Sequence, residues 1–330
     1  MHAVAAILFS ISAWIPYASE MRGIPDTIAH IQNLTEINPF VYDIRATSTI
    51  TDEGGVSIGK WSGVFSSARA NGTRIIPTII WGNKDQIHAM LSATSSRAAH
   101  ISSIVSIVSQ NDFDGIDIDY EGKYPSDHDL FAQFLSELGA ALHSQGKILS
   151  CTVETKESEY QNIASSCDEV RIMAYDKYYY DFGVSPFSTT TPLSVSITNA
   201  PLSFGKSVIA SAEKYIPASK IILGIPTYGY DFTYSIHGVT RNVDWYAAYS
   251  YTDAIAKAKT FNAVIHRTVQ DEKYFLYTSH GLHHFVVFSD AATFTDRLAL
   301  AKSLGLAGIA IFKIDGKEDS TIWNAIPSVK

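Results

Sequence analysis

The chain has 330 residues, of which 46% are hydrophobic and 18% are charged, with a net charge of −8 at pH 7. This composition predicts a large apolar core and excludes disorder as the main state. The acidic balance, without clusters of lysine and arginine, argues against nucleic acid as a partner. The length allows one barrel-sized domain or two smaller domains.

The amino-terminal segment has two interpretations. Residues 3–9 are apolar and have the length of a signal-peptide core, but neither lysine nor arginine precedes them. We favour the interpretation in which this segment belongs to the fold and leads into its first strand. No apolar stretch of about 20 residues occurs, so no membrane-spanning helix is expected. The localisation stays open, with secretion or association with the cell envelope favoured over other sites.

Eight short runs, rich in valine, isoleucine and leucine, predict β-strands. Several are apolar almost throughout, which is typical of parallel strands buried on both faces. The predicted strands cover residues 10–17, 39–44, 74–81, 115–121, 147–154, 169–176, 220–228 and 305–315. Amphipathic stretches between them predict helices over residues 25–32, 60–70, 97–109, 127–144, 206–215 and 292–303.

This alternation predicts an α/β fold, a (β/α)8 TIM barrel, with a doubly wound sheet as the alternative. The interval between strands seven and eight is too long for a simple crossover. It contains two further strand-like runs, at residues 273–277 and 285–288. We therefore predict a small α+β insertion over residues 231–288, and a barrel domain formed by residues 1–230 and 289–330.

The chain contains two cysteines, Cys151 and Cys167. This number excludes a disulfide scaffold, and no histidine stands near them in a zinc-ligand pattern. They either form one disulfide or remain thiols. Because Cys151 ends an apolar, strand-like run, we expect two buried thiols.

The fourth predicted strand carries three acids at alternate positions, Asp117, Asp119 and Glu121. Alternate residues of a strand share a face, so the acids lie on one face and Ile116 and Ile118 on the other. In a barrel, the isoleucines would pack against helices and the acids would line the interior. A solvated acidic edge strand is the alternative, but the flanking apolar residues argue against it. A Mg²⁺ or Ca²⁺ site is a second alternative, although the run lacks the spacing of an EF-hand.

Three acids this close in a closed space cannot all ionise freely, so at least one pKa is expected to rise. A carboxylic acid that stays protonated near neutral pH can act as a general acid. Glu121 is nearest the carboxyl-terminal rim, where barrel active sites lie, so we predict it to be the proton donor. Asp119 is its nearest support.

Four segments resemble, in chain order, the motifs of glycoside hydrolase family 18, the chitinase family. Residues 114–121 resemble its DxxDxDxE signature, and residues 173–176 resemble its sixth-strand M-x-Y-D motif. Residues 223–229 and 305–315 resemble its seventh-strand and eighth-strand motifs. Many members also carry an insertion between strands seven and eight. The resemblance thus covers essentially the whole chain.

The resemblance implies a retaining hydrolase that cleaves β-1,4 bonds next to N-acetylglucosamine, in chitooligosaccharide, chitin or peptidoglycan, by substrate-assisted catalysis. Glu121 would be the acid and base, and Asp119 would orient the acetamido group of the substrate. Asp117 would share a proton with Asp119, and Tyr175 would hydrogen-bond the acetamido group. A catalytically inactive chitinase-like lectin is the alternative, although such proteins typically lose one of these acids.

The resemblance also implies a set of substrate-binding residues: Asp176, Met173, Tyr228, Phe312 and Trp14. Met173 either forms the pocket wall or packs in the core, and Tyr228 lines the site or packs beneath it. Trp14 either stacks on a sugar or fills the bottom of the barrel. No cofactor and no metal are implied, and the expected partner is an N-acetylglucosamine-containing glycan bound by a monomer.

Three departures from typical chitinases indicate the branch of the family associated with spores and cell walls. Phe312 stands where a tryptophan usually forms the floor of the site, and Tyr230 stands where many members have arginine. Residues 77–82 differ from the usual third-strand motif. Members of this branch act on peptidoglycan or short oligosaccharides.

Three further features carry weaker predictions. Asp114 lies off the alternating acidic face, so we expect it to make structural hydrogen bonds. The aromatic run 178–180 forms either a sugar platform or loop packing. His283 and His284 are expected at the surface of the insertion.

Overall fold

The computed structural model describes residues 9–45, 49–180 and 187–327. Most of the predicted apolar segment 3–9, and the side chains of residues 179 and 180 in the aromatic run, lie outside this description. Within the described ranges, each helix is too short or too polar to cross a membrane.

Eight parallel strands form a closed barrel, because the first strand pairs with both the second and the last. Two short strands, β3 (Ile50–Asp52) and β4 (Arg74–Ile75), accompany the second and third barrel strands. This architecture confirms the predicted TIM barrel and its eight strands. The strands up to the insertion are β1 (Ser10–Pro16), β2 (Glu36–Ile44), β3 (Ile50–Asp52), β4 (Arg74–Ile75), β5 (Thr78–Trp81), β6 (Gly115–Tyr120), β7 (Ile148–Val153), β8 (Glu169–Ile172), β9 (Phe187–Ser188) and β10 (Ile221–Pro226).

Helices connect the barrel strands and cover the outside of the barrel. In α5, for example, Phe131, Phe134, Leu135 and Leu138 follow helical spacing, and all four are buried. The helices are α1 (Glu20–Ala29), α2 (Ser62–Asn71), α3 (Lys84–Ser92), α4 (Thr94–Gln110), α5 (His128–His143), α6 (Lys177–Tyr180), α7 (Leu193–Ser196), α8 (Leu202–Ala212), α9 (Tyr251–Thr260) and α10 (Ala291–Ser303).

A second, antiparallel sheet follows the seventh barrel strand. It contains β9 together with β11 (Tyr228–His237), β12 (Thr240–Ser250), β13 (His266–Arg267), β14 (Lys273–Ser279) and β15 (Leu282–Phe288), and the barrel closes with β16 (Gly308–Phe312). Two of these strands, β14 and β15, were predicted from the sequence, whereas β9, β11, β12 and β13 were not. The domain boundaries and the monomeric state stay predictions.

The register of the central strands sets the orientation of the acids. Asp117 lies between Thr78 and Ser150 on the neighbouring strands, and Asp119 lies between Ile80 and Thr152. All of these except Ile80 are buried, and Asp117 has no exposed surface. Ile116 and Ile118 point the opposite way, into the core between strands and helices. The acids therefore line the barrel interior, as the alternation predicted.

The prediction of two buried thiols is wrong, because Cys151 and Cys167 form a disulfide. Cys151 lies on the outward face of β7, and Cys167 precedes β8. Their Cα atoms are 6.0 Å apart, a separation that suits a disulfide. Both residues are fully buried, as expected, but their spacing in the sequence did not reveal that the loop returns to β7.

Candidate active site

A cavity of about 280 Å³ opens at the carboxyl-terminal rim of the barrel. This is the end at which the active sites of such barrels lie. The structure brings seven of the nine predicted site residues into its lining. The lining residues are Trp14, Phe40, Ile80, Asp119, Glu121, Thr152, Met173, Tyr175, Asp176 and Phe312.

Asp117 lies below the cavity, and its carboxylate accepts hydrogen bonds from side chains of several strands. Ser150 Oγ and Thr78 Oγ1 donate to it over 2.6 and 2.9 Å. Thr152 Oγ1 lies 3.0 Å from both carboxylate oxygens, and Trp14 Nε1 donates over 3.2 Å. These bonds hold Asp117 in place below Asp119, outside the cavity lining.

Asp119 is buried in the cavity wall, and its Oδ1 atom has no hydrogen-bond partner among the described residues. Burial raises the pKa of Asp119 well above the usual value, and the nearby charges of Glu121 and Asp117 raise it further. An unpaired buried acceptor is costly, so such atoms are uncommon in folded proteins. Here Asp119 lines the cavity, and a ligand in the cavity could approach this carboxyl group.

The pKa of Glu121 is also raised, first by burial and then by the negative charge of Glu154. Glu154 was not singled out from the sequence. The pairing of β6 with β7 reaches Asp119 and Thr152, and Glu121 and Glu154 stand two residues further along their strands. The raised pKa favours the protonated form of Glu121, which is the form that a general acid needs.

A buried ammonium group lies beside these acids. Lys123 Nζ pairs with Glu159 Oε2 at 2.9 Å, also donates to the carbonyl oxygen of Tyr120, and lies 4.5 Å from the ring centre of Phe131. Its charge lowers the pKa values of Asp119 and Glu121, against the effects of burial and of the neighbouring acids.

An aromatic wall faces the acids. The rings of Tyr175 and Phe312 stack with centres 5.4 Å apart, and Trp14 meets Phe312 edge-on at 5.8 Å. Gly224 leaves room for this packing, because a Cβ atom there would lie 2.9 Å from the Tyr175 ring. Phe312 therefore presents an aromatic face to the cavity, although without the indole N–H of a tryptophan. Trp14 lines the cavity and also bonds Asp117 below it.

Asp176 ends this wall, and two tyrosines of β11 hold its carboxylate. Tyr230 Oη donates to Asp176 Oδ1 over 2.7 Å, and Tyr228 Oη donates to the same atom. Burial raises the pKa of Asp176, while both hydroxyl groups lower it. Tyr228 lies behind Tyr175 and Asp176 and does not line the cavity. Of the two predicted positions, it therefore occupies the one beneath the site.

Besides Glu154 and Lys123, two residues that shape the site were not predicted from the sequence. Tyr230 was noted only as a departure from arginine, although its alternation with Tyr228 places both hydroxyl groups on one face. Arg171 is fully buried below the acids, and its guanidinium group lies 3.0 Å from Glu169 and 3.8 Å from Asp117. An arginine at an inward position of a predicted strand was the available signal.

The remaining predictions lie outside the cavity. Asp114 accepts a hydrogen bond from the backbone N–H of Ile75 over 2.7 Å, which confirms its structural role. The prediction that His283 and His284 lie at the surface is wrong, because both are half-buried. Strand β11 packs beside them, and His284 Nδ1 lies 2.9 Å from Asp231 Oδ1 of that strand. Across residues 9–45, 49–180 and 187–327, no cluster of histidine, cysteine or acidic side chains is arranged to hold a metal ion.

Comparison with known proteins decides the family. The model of the glycosyl hydrolases family 18 matches residues 18–317. The chain belongs to this family. Among curated relatives, the cortical fragment-lytic enzyme of Bacillus subtilis is 30% identical over 218 residues, which cover 61% of this chain and 46% of that enzyme. The chain spans about half the length of several such relatives.

Solved structures of family 18 proteins share the fold. The spore cortex-lytic enzyme SleL of Bacillus cereus superposes with a TM-score of 0.78 at 21% identity, over 96% of this chain and 73% of that one. A class V chitinase from Nicotiana tobaccum in complex with NAG4 superposes with a TM-score of 0.79 at 18% identity, over 97% and 98% of the two chains. Spore-cortex enzymes among the relatives confirm the branch that the sequence predicted.

Proposed function

We propose that this family 18 protein is a retaining glycosidase that cleaves β-1,4 bonds next to N-acetylglucosamine, with the acetamido group of the substrate as the nucleophile. The observation that carries the proposal is that Asp119, whose Oδ1 atom has no hydrogen-bond partner among the described residues, lines the same cavity as Glu121. A carboxylate there can accept the N–H of an acetamido group and so turn its carbonyl oxygen towards the anomeric carbon.

In the first step, Glu121 gives its proton to the glycosidic oxygen as the bond from that oxygen to the anomeric carbon breaks. The acetamido carbonyl oxygen bonds to the same carbon and forms an oxazolinium ion. Asp119 stabilises the positive charge, and Asp117, held by its hydroxyl and indole donors, fixes Asp119 from below. Tyr175 holds the acetamido group, and Phe312 stacks on the sugar ring.

In the second step, the Glu121 carboxylate takes a proton from water. The water oxygen bonds to the anomeric carbon as the acetamido oxygen leaves. Two inversions at one carbon give net retention. The substrate class fits the similar proteins, which include cortex-lytic enzymes and a chitinase in complex with NAG4.

The test compares the wild type with Glu121→Gln on N-acetylglucosamine tetramers and on peptidoglycan. The substitution keeps the size of the side chain but removes the transferable proton, so we expect a rate at least ~100-fold lower. Glu213→Gln, at an exposed position of the same chain, serves as the control and should keep full activity. Cleavage by Glu121→Gln at the wild-type rate would rule out the proposed acid.

A second arm tests the role of the acetamido group. Glucosamine tetramers, which lack the acetyl carbonyl oxygen, should not be cleaved under conditions in which the N-acetylated tetramer is. Equal cleavage of both would exclude substrate assistance. If the wild type binds the tetramers and cleaves neither these nor peptidoglycan, the chitinase-like lectin replaces the enzyme.

A further inference from the structure

Asp176 has a left-handed backbone conformation. Its φ angle is +57°, in a region that residues other than glycine seldom occupy, although aspartate and asparagine enter it more often than most. It stands between Tyr175, in the aromatic wall, and Lys177, the first residue of α6. Such a conformation carries a cost, so it persists where surrounding contacts hold it.

The side chain of Asn199 supplies these contacts. Asn199 is buried, and its Oδ1 atom accepts the backbone N–H of Asp176 over 3.0 Å. Its Nδ2 atom donates over 3.2 Å to the carbonyl oxygen of Tyr228, whose hydroxyl group bonds the Asp176 carboxylate. The carbonyl oxygen of Asn199 accepts the N–H of Lys177 over 2.9 Å. One residue thus binds the backbone on both sides of the Asp176 side chain.

Asn199 is in turn held from the insertion. Glu272, which stands just before β14, is fully buried, and its Oε1 atom accepts the backbone N–H groups of Asn199 over 3.2 Å and of Ala200 over 3.0 Å. Arg297 of α10 donates its Nε–H to the carbonyl oxygen of Ala200 over 3.0 Å. Glu272 of the insertion therefore holds both Asn199 and Ala200, and Arg297 of the barrel wall holds Ala200.

We infer that Asn199 is a positioning residue for Asp176. Glu272 holds Asn199 in place, so the insertion also contributes to the position of Asp176. The inference deepens the proposed function and rests on it, because it takes Asp176 as a substrate-binding residue of that glycosidase, as the resemblance to family 18 implies. Asn199 itself does not touch the substrate. It acts by keeping the Asp176 carboxylate at the cavity wall.

The kinetic test is a double-mutant cycle with Asn199→Ala and Asp176→Ala. Asn199→Ala removes the acceptor for the Asp176 N–H, and we expect kcat/KM on the N-acetylglucosamine tetramer to fall at least tenfold. In the Asp176→Ala background, the same substitution should have little further effect, because its target is already gone. Effects that multiply independently would overturn the inference.

Two control variants separate positioning from stability. Asn33→Ala removes another buried asparagine, whose Nδ2 atom donates to the carbonyl oxygen of Ile326 far from the cavity. It should lower the melting temperature by a similar amount and leave kcat/KM unchanged. Glu272→Gln keeps an acceptor oxygen and should retain activity, whereas Glu272→Ala should follow Asn199→Ala. Equal activity of the two Glu272 variants would remove the insertion from the inference.

A structural readout does not depend on turnover. Crystal structures of the wild type and of Asn199→Ala should show Asp176 with φ near +57° only in the wild type. The same φ in both would overturn the inference even if the enzyme is active. If the wild type cleaves no glycan, the proposed function fails, and the crystallographic comparison still decides whether Asn199 positions Asp176.

Discussion

Buried acids lie at two levels inside the barrel, and their surroundings differ. At the lower level, Glu36 and Glu169 contact the guanidinium group of Arg171, and Arg74 lies 2.8 Å from Glu36. At the upper level, Asp119 and Glu121 face the cavity, and the nearby ammonium group of Lys123 already pairs with Glu159.

The difference shows how one interior provides both stability and reactivity. Paired acids have their charge compensated and hold strands together. Burial still raises the pKa of Glu36 to about 7, against the charges of Arg171 and Arg74, whereas the same charges, acting against burial, hold the pKa of Glu169 below its usual value. At the upper level, the pKa values of both Asp119 and Glu121 are raised, which favours their protonated forms and so allows proton transfer. Asp117 joins the levels, since it lies 3.8 Å from Arg171 and directly below Asp119.

Removing Arg171, the fully buried cation of the lower level, should have the largest effect. Arg171→Met leaves Glu36, Glu169 and Asp117 without the Arg171 guanidinium group, and Arg74 remains beside the two glutamates. We therefore expect a loss of about 3–5 kcal/mol in the free energy of unfolding. Lys214→Met is the control, because the Lys214–Glu157 pair is exposed and should contribute little to stability. Urea denaturation measures both. Equal losses would mean that the lower level is not a special source of stability.

The disulfide contributes to the scaffold outside both levels. It closes a loop with a sequence separation of 16 between Cys151 and Cys167, so replacing both cysteines by serine should cost about 3 kcal/mol. The pH profile of activity should not change, because Cys151 faces away from the acids. A changed profile would show that the outer face of β7 affects the cavity.

Substitution at the upper level should separate activity from stability. We expect Asp119→Asn to lower kcat about 100-fold, since it removes the charge that stabilises the oxazolinium ion. Because burial raises the pKa of Asp119, the folded wild type holds this proton more tightly than the unfolded chain does. The wild type therefore loses stability as the pH rises through that pKa, whereas the variant has no such proton to lose. The variant should therefore equal or exceed the wild type in stability at alkaline pH. Urea denaturation at two pH values tests this, and a large loss of stability would contradict it.

The smallest expected effect is a change in pH dependence. Glu121 must be protonated to act as an acid, so kcat/KM falls as the pH rises through its pKa. Glu154→Gln removes a negative charge that raises this pKa, so the alkaline limb should move to lower pH. The other charged groups acting on Glu121, which are Lys123, Asp176 and Glu159, stay in place.

Glu157→Gln provides the control for that measurement. Glu157 is exposed and bonds Lys214 and Tyr215, away from the cavity. Its substitution should leave the alkaline limb in place. If the alkaline limb of the pH profile does not move in Glu154→Gln, or moves equally in both variants, Glu154 has no specific effect on the pKa of Glu121.

Sequence patterns predicted the barrel and its acids because both depend on local periodicity. Strands buried on both faces are apolar throughout, and alternation alone places Asp117, Asp119 and Glu121 on one face. The missed strand β11 carried a signal of the same kind, since Tyr228, Tyr230, Phe232 and Tyr234 alternate. It was missed because the eight strands that a barrel needs had already been predicted without it.

Other features depend on contacts between distant segments, and local patterns do not show these. Arg171 meets Glu36 across 135 positions of the chain, and Asn199 meets Glu272 across 73. The disulfide likewise depends on how the loop after β7 returns to it. In each case the residue type was visible in the sequence, but its partner was determined only by the closed barrel and by the docking of the second sheet.

The course of β11 also bears on how such proteins can be recombined. This strand begins beside the cavity, where Tyr228 and Tyr230 hold Asp176, and continues as a central strand of the second sheet. Exchange of residues 231–288 between homologues would cut through this strand and would replace Glu272. The insertion and the candidate active site therefore need to be exchanged together. A chimera needs compatible residues at 199, 228 and 230.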